Sequence, residues 1–474
     1  EWDERLDAVT RGALGLTVAC ARCHDHKFDP ISNKDYYAMA GVFASTTAAV
    51  RPLDPLAPEV EKRFIWARQR FSDLNGAISN LSGNKDIDQK SAAEKIAQCN
   101  EELAKLKPEL EAMRDQHPEL ADLITKTLTP PKVAGGGRGG PTMQELQAPF
   151  VNAVYDAGVW LDGSHPDYTM IELKPGQPRD LPVYFRGTGG TGGEIVPRRF
   201  LTVLAKNPGQ PFQRGSGRLD LADAIVTDAA PLTARVIVNR VWGSHFGAYL
   251  AGTPSDFGDR GDKPTHPELL DDLAARFITH GWSLKWLHRE ILLSAAYRQS
   301  SRPRTEALEK DEANALLWRM NPRRADIEAF RDTLLRSAGT LDLKMYGPSL
   351  DLDSSGNNRR TLYAKISRAR MNDLLRIYDF PSPMQHSPSR IDTLTPLQQL
   401  FVMNSPFIEQ LSTTLANAVE NESGSAKIRD LYRKILARDP SPDEIDAALT
   451  YIERVPLARF TQTLLATSEE IFWP

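Results

Sequence analysis

The sequence predicts a mainly α-helical protein of several domains. Its 474 residues exceed the about 100–200 residues that usually form one domain. Apolar residues recur at helical spacing over most of the chain, whereas short strand-like runs are confined to residues 150–205. A proline- and glycine-rich stretch, "TPPKVAGGGRGGP", separates a long helical region from these strands.

Composition excludes some classes of function. The 58 basic and 62 acidic residues leave a net charge of −4, which disfavours a nucleic-acid partner because such proteins are usually basic. No uninterrupted apolar run approaches the ~18 residues of a membrane-spanning helix. The chain starts at Glu1 rather than Met and shows no leader, so we expect further sequence upstream.

Residues 1–56 are predicted to form a haem-attachment segment. Two predicted helices, the second capped by Asn33, flank the stretch "TVACARCHDHKFDP". In it Cys20, Cys23 and His24 form C-x-x-C-H, the attachment sequence of haem c. The cysteines would form two thioethers, and His24 would be the proximal ligand of the iron.

Two other interpretations of this stretch remain open. Zinc could bind Cys20, Cys23, His24 and His26, although adjacent ligands crowd a tetrahedral site. A reactive dithiol would need a βαβ context, which the sequence lacks. His26 cannot reach the opposite face of the iron that His24 binds, so we consider it a candidate ligand of a neighbouring haem.

Residues 57–128 are predicted to form an inserted helical hairpin. Apolar residues at alternating steps of four and three form two arms, which is typical of a coiled-coil seam. Ser91 and Glu94 resemble a capping box for the second arm, and Pro108 should kink it. Cys99 falls on the seam and is expected to be buried. A hairpin of this kind could also dock a partner helix.

Residues 129–217 are predicted to hold a glycine-rich linker and a small β-rich module. "YTMIELK" and "DLPVYFRG" have the composition of strands. Gly187, Gly189 and Gly192 match G-x-G-x-x-G, but Pro197 follows where a dinucleotide site needs a helix. We therefore interpret them as a loop.

Residues 218–474 are predicted to form a C-terminal helical domain. Pro267 and Gly281 bound one helix, and Ser441 with Glu444 forms a capping box for another. The arginine-rich stretches "NPRRADIEAFRD" and "NNRRTLYAKISRARM" either pair with nearby acids or face haem propionates or an anionic substrate.

Several long stretches resemble the planctomycete-specific cytochrome family. They are "RLDAVTRGALGLTVACARCHDHKFDPISNKDYYAMAGVFAST", "EIVPRRFL", "PLTARVIVNRVWGSHFGAYLAGTPSDFGDRGDKPTHPELLDDLAARFITHGW" and "TPLQQLFVMNSPF". The resemblance covers nearly the whole chain except the hairpin and the linker. It implies an exported, extracytoplasmic and specifically periplasmic protein, with an upstream haem region or a redox partner protein as its partner. It also implies an association with anionic polysaccharide.

The predicted function is that of an exported c-type cytochrome with one covalent haem on this chain. It would transfer electrons as the redox module of an extracytoplasmic enzyme or complex, and whether the chain is itself an oxidoreductase stays open. The alternative is a carbohydrate-associated binding or hydrolytic protein, in which Trp160 and Trp242 would be exposed and the haem segment secondary.

The sixth iron ligand decides between electron transfer and small-molecule binding. His245, flanked by aromatic residues, is the first distal candidate, and Met403 is the second. Further candidates share only their residue type: His266, His280, His288, His386, Met371 and Met384.

Overall fold

The computed structural model describes residues 2–83, 88–129, 150–165, 168–187, 192–354, 356–368 and 370–473. The predicted mainly α-helical, multi-domain fold is confirmed. The chain divides into two compact units, one comprising Glu1–Val236 with Ser255–Gly261 and the other Ile237–Pro254 with Asp262–Pro474. Residues 130–141 of the predicted linker, and Gly189, lie outside the described residues.

The first unit begins with two helices that flank the motif. Helix α1 (Trp2–Val9) continues into a π-helical turn that ends at Gly15, whose φ of +59° suits glycine. A 3₁₀ helix, Val18–Arg22, precedes α2 (Asn33–Ala44). The predicted cap at Asn33 is wrong by one residue, because Ser32 is the N-cap and forms a capping box with Asp35.

The predicted hairpin is present as α3 (Pro58–Gly83) and α4 (Gln89–Gln116), followed by α5 (Ala121–Leu128). Asp88 caps α4, so the helix begins before the predicted Ser91 cap. The helix also continues through Pro108. Cys99 is buried on the seam, and this burial raises the pKa of its thiol.

Five strands make two antiparallel sheets in this unit, so the β-rich module is present. One sheet has the order β1 (Thr46–Pro52), β2 (Phe150–His165) and β3 (Tyr168–Pro175). The other is a hairpin of β4 (Leu181–Tyr184) and β5 (Gly192–Val196), which we call the β4–β5 hairpin.

The core around the motif is made by apolar side chains from several of these elements. Leu6 of α1, Val18 of the 3₁₀ helix, Met39 of α2 and Leu181 of β4 are buried in the same cluster. The first unit also contains α6 (Arg218–Thr227) and the first residues of α7 (Ala230–Phe246). The motif therefore lies on a well-packed support.

Helices and the loops between them make up most of the second unit, and its described residues also include a short strand pair, β6 (Arg323–Arg324) with β7 (Phe472–Trp473). Its other helices are α8 (Pro267–Thr279), α9 (Leu284–Leu292), α10 (Thr305–Lys310), α11 (Ile327–Ser337), α12 (Asp373–Ile377), α13 (Pro396–Asn404), α14 (Pro406–Ala418), α15 (Gly424–Leu436), α16 (Pro442–Ile452), α17 (Leu457–Leu465) and α18 (Ser468–Ile471).

Two predicted helix boundaries in this unit are confirmed. Helix α8 starts at Pro267 and is followed by Gly281 with φ of +65°, and Ser441 forms its predicted capping box with Glu444. Among the described residues, we find no helix whose length and apolar character would suffice to cross a bilayer.

Candidate functional site

The motif cysteines lie in and directly after a short 3₁₀ helix, Val18–Arg22. Cys20 is within the helix and Cys23 is its C-cap residue. Val18 and Ala21 are buried, whereas Cys20 and Cys23 are both exposed free thiols. The helix therefore packs Val18 and Ala21 into the core and leaves both cysteines exposed.

His24 follows these thiols and is also exposed. Its Nδ1 is 2.6 Å from the carbonyl oxygen of Asp25, and because a carbonyl only accepts, Nδ1 must carry the proton. The other ring nitrogen, Nε2, then keeps its lone pair. Metal-binding histidines are commonly held in this way, with one nitrogen donating to a carbonyl and the other on the metal.

His26 has a different environment, because its side chain is almost completely buried. Its Nδ1 accepts hydrogen bonds from the backbone N–H of Asp29 at 2.8 Å and of Phe28 at 3.3 Å. Its Nε2 therefore carries the proton and donates to Thr17 Oγ1 at 3.0 Å. Both ring nitrogens are engaged, and in this arrangement neither is available to the iron of a neighbouring haem.

The loop after His26 is held by a segment far away in the sequence. The carboxylate of buried Asp29 accepts a hydrogen bond from the backbone N–H of Asp259 at 2.8 Å. A Cβ at Gly258 would lie 2.5 Å from both oxygens of that carboxylate, so only glycine fits there. The backbone N–H of Phe257 donates to the carbonyl of Gly15 at 2.7 Å. Residues 255–261 therefore fix both ends of the motif.

Asp35 is the most heavily bonded acid near the motif. One of its oxygens accepts from Arg199 Nη1 and Thr202 Oγ1, each at 2.6 Å, and the other accepts from the backbone N–H of Ser32 at 3.0 Å. Burial opposes ionisation of Asp35, but the hydrogen bonds from Thr202, Ser32 and Arg199 outweigh it and lower its pKa. Asp35 thus connects the start of α2 with "PRRFL".

The β4–β5 hairpin contacts the motif directly. Arg22 donates to the carbonyl of Gly187 through Nε at 3.2 Å and Nη2 at 3.0 Å. Cys23 Sγ donates to the carbonyl of Arg186 at 3.5 Å. The Tyr37 hydroxyl is 3.1 Å from the carbonyl of Arg22, and burial raises the pKa of Tyr37, which keeps it a neutral donor.

A depression of about 680 Å³ lies between the motif and this hairpin. Its wall includes Asp25 and Asn33 on the motif side, and Val183, Phe185 and Glu194 on the hairpin side. The volume is within the range of about 300–1,000 Å³ that is usual for small-molecule and cofactor sites.

Two family models match parts of the chain. Residues 1–48 match the family model PSCyt2, described as a protein of unknown function (DUF1549). Residues 217–452 match PSD1, described as a protein of unknown function (DUF1553). These two regions of the chain are therefore similar to the planctomycete-type PSCyt2–PSD1 pair. Neither description names a cytochrome, so haem binding stays a prediction. No curated protein and no solved structure gives a significant match.

The family matches and the compact units have different boundaries. The segment that holds Asp29, residues 255–261, lies within the PSD1 match, yet it folds with the PSCyt2 match. Sequence analysis missed this connection, because the partners are 230 residues apart. The Gly258–Asp259 pair in "SDFGDRG" is the signal, since glycine and aspartate are typical turn residues.

The two distal-ligand candidates belong to the second unit. His245 Nε2 is 2.7 Å from His288 Nδ1, so this nitrogen is engaged by another histidine. Burial, assisted by His288 and the Arg323 cation, lowers the pKa of His245. Met403 lies on α13 with an exposed side chain. Both remain untested as ligands.

The predicted aromatic and arginine surfaces differ from expectation. Trp242 is buried and stacks on Phe246, so the expectation that it is exposed is wrong. Trp160 is partly exposed, but Lys174 and Arg179 lie 4.8 and 4.5 Å from its ring centroid. Arg331 is buried and donates hydrogen bonds to backbone carbonyls, including that of Arg359 at 3.0 Å. It therefore holds the "NNRRTLY" loop.

A metal cluster of side chains is not formed in the described part of the chain. No group of three or more His, Cys, Asp or Glu side chains there is arranged to hold an ion. The four side chains considered for a zinc site do not face the same way. His26 turns inward to Thr17, whereas Cys20, Cys23 and His24 are exposed.

Proposed function

We propose that the chain is an extracytoplasmic c-type cytochrome that carries one haem c on Cys20, Cys23 and His24. The observation that carries this proposal is the arrangement of the three donors. Both thiols are free and exposed, one in the 3₁₀ helix and one at its C-cap, and His24 keeps Nε2 available because Nδ1 donates to the carbonyl of Asp25. The donor set therefore fits a covalently tethered haem.

Attachment needs no oxidant or reductant. Each cysteine adds its thiol across one vinyl group of the porphyrin, so that an S–C bond forms and an S–H bond breaks. The proton goes to the neighbouring vinyl carbon. Exposure of both thiols makes them accessible to this reaction before the site is covered.

When bound, the haem supplies an iron centre that accepts or donates one electron. His24 would hold the iron through Nε2, and the Asp25 carbonyl orients the imidazole ring. His26, Asp29 and Asp35 hold the loop from beneath. The exposed location of the motif suits exchange of electrons with a redox partner protein or an upstream haem region.

The site is tested by a visible spectrum of the chain, exported from a host with c-type maturation machinery. The oxidised and the dithionite-reduced protein are measured, and the denatured protein is measured again in alkaline pyridine. We expect a haem c spectrum that survives denaturation and disappears in Cys20→Ala/Cys23→Ala. A folded but colourless wild-type protein would contradict the proposal.

Cys99→Ala is the matched control. It removes the third cysteine, which is buried in the seam of the hairpin and lies outside the motif. We expect this variant to retain full covalent haem. Loss of haem in Cys99→Ala as well would show that the signal depends on general integrity of the fold rather than on the motif.

A further inference from the structure

The β4–β5 hairpin has a feature that the attachment motif alone does not explain. Phe185 is 69% exposed although it follows directly on a strand whose first residue, Leu181, is buried. Burial of such a side chain is worth about 1.5–3 kcal/mol, so its exposure beside a cofactor-sized depression is informative.

The hairpin is fixed against the motif by contacts that leave little freedom. Arg22, between the two cysteines, donates twice to the carbonyl of Gly187, and Cys23 contacts the carbonyl of Arg186. A Cβ at Gly187 would lie 2.9 Å from Cys23 Sγ and 3.1 Å from Arg22 Cγ. The backbone thus approaches the thiol as closely as glycine permits.

The depression next to these contacts has a mixed chemical character. Val183 and Phe185 supply an apolar surface on the hairpin side. Lys34 and Glu194, whose side chains are joined at 2.7 Å, lie on its polar rim. The guanidinium of Arg186 lies 5.5 Å from the ring centroid of Phe185. The apolar surface of Val183 and Phe185 matches the flat apolar ring of a porphyrin, whereas the rim carries the carboxylates of Asp25 and Glu194 and the paired Lys34.

We propose that the β4–β5 hairpin is a wall of the haem site, with Phe185 and Val183 packed against the porphyrin that Cys23 tethers. This inference rests on the proposed function. Without such a wall, a haem tethered to exposed cysteines would be hydrated on most of its surface. The apolar wall removes water from part of the ring, and solvent exposure is one of the factors that set a haem's reduction potential.

The test compares Phe185→Asp with Ile195→Asp in the exported, haem-loaded chain. Ile195 is the matched control, because it is on the same hairpin and 65% exposed, but it does not line the depression. Haem content, the reduction potential and the circular dichroism of the Soret band are measured. Phe185→Ala is measured in parallel, since it removes the ring without adding a charge.

We expect all variants to keep the wild-type haem content. Phe185→Asp should lower the reduction potential and change the Soret dichroism, because water and a negative charge both favour the ferric state. Phe185→Ala should shift the reduction potential and the Soret dichroism in the same direction but by less. Ile195→Asp should leave both quantities unchanged.

Two outcomes would overturn the inference, and they differ from a failure of the proposed function. If wild type carries haem c but the two Asp variants shift equally or not at all, the hairpin is not a wall of the site. If wild type carries no haem c, the proposed function and this inference both fail.

Discussion

The outer and inner halves of the motif segment use the same residue types for different purposes. The outer half, residues 20–25, presents Cys20, Cys23 and His24 to solvent. The inner half, residues 26–35, buries Asp29 and Asp35 and nearly buries the His26 side chain. His24 and His26 are two positions apart, yet one keeps a free nitrogen and the other uses both in the fold.

This difference separates two sets of side chains within one short segment. The inner side chains accept hydrogen bonds from the backbone N–H groups of Asp29, Asp259 and Ser32. They fix the loop, whereas the outer half is held by the contacts of Arg22 and Cys23 with the β4–β5 hairpin. Substitutions should therefore affect stability in the inner half and haem chemistry in the outer half.

The largest expected effect in this comparison is that of Asp35→Asn. Loss of the charge leaves Arg199 with a weakened partner, and disruption of a buried ion pair usually costs about 3–5 kcal/mol. We expect a decrease of that order in the free energy of unfolding, measured by urea denaturation followed by far-ultraviolet circular dichroism. Asp25→Asn, at an exposed acid that accepts from the Asn33 N–H, should cost less than about 1 kcal/mol.

The same interaction predicts a dependence on pH. Because the folded state lowers the pKa of Asp35, its contribution is present above the pKa of the unfolded chain. It is lost as the pH falls through the lower folded value. Wild type should lose this stability in acid, whereas Asp35→Asn should lose less over the same range. Parallel acid profiles for the two proteins would contradict the role of Asp35.

Local patterns in the sequence were sufficient for much of the fold. The two arms of the hairpin, the start of α8 and the capping box at Ser441 all depend on residues close together in the chain. Where two local signals compete, the prediction was off by a few residues. Asp88 rather than Ser91 caps α4, and Ser32 rather than Asn33 caps α2.

The hydrogen bonds that hold the motif in place could not be predicted from local patterns, because the residues that form them are distant in sequence. Asp29 binds a turn at residues 258–259, and Asp35 binds Arg199 and Thr202. Neither partner gives a periodic signal. Gly187 likewise belongs to a glycine-rich stretch that was interpreted as a loop, although its position is fixed by Arg22 and Cys23.

The two histidines provide a direct test of the division between the halves. His26→Ala removes the acceptor for the N–H group of buried Asp29, and a buried polar group left without a partner costs about 1–3 kcal/mol. We expect a loss of that order in His26→Ala. His24→Ala should change unfolding by less than about 0.5 kcal/mol, since its side chain is exposed, but should alter the native visible bands.

The result would be read from two measurements on each variant, unfolding by urea and the native spectrum of the reduced protein. A large loss of stability in His24→Ala would mean that the outer half also supports the fold. A change in the iron spectrum of His26→Ala at full stability would instead support His26 as a ligand.

The contact between the hairpin and the motif is expected to contribute less to stability than Asp35 does. Gly187 and Gly209 both have positive φ, +70° and +84°. Alanine in such a conformation costs about 1–2 kcal/mol. Gly187→Ala and Gly209→Ala should therefore destabilise the fold to a similar degree.

The two variants should differ in haem attachment. A Cβ at Gly209 meets nothing within 4 Å, whereas at Gly187 it meets Cys23 Sγ at 2.9 Å. Cys23 or the hairpin must move, so we expect Gly187→Ala to carry less haem per folded chain, measured by the pyridine assay and by intact mass. Gly209→Ala has the same backbone strain but no contact with Cys23. Comparing the two variants therefore shows whether the strain or the contact lowers the haem content. Equal haem content in both variants would mean that Cys23 reacts independently of the hairpin, and the inner half alone would then position the motif.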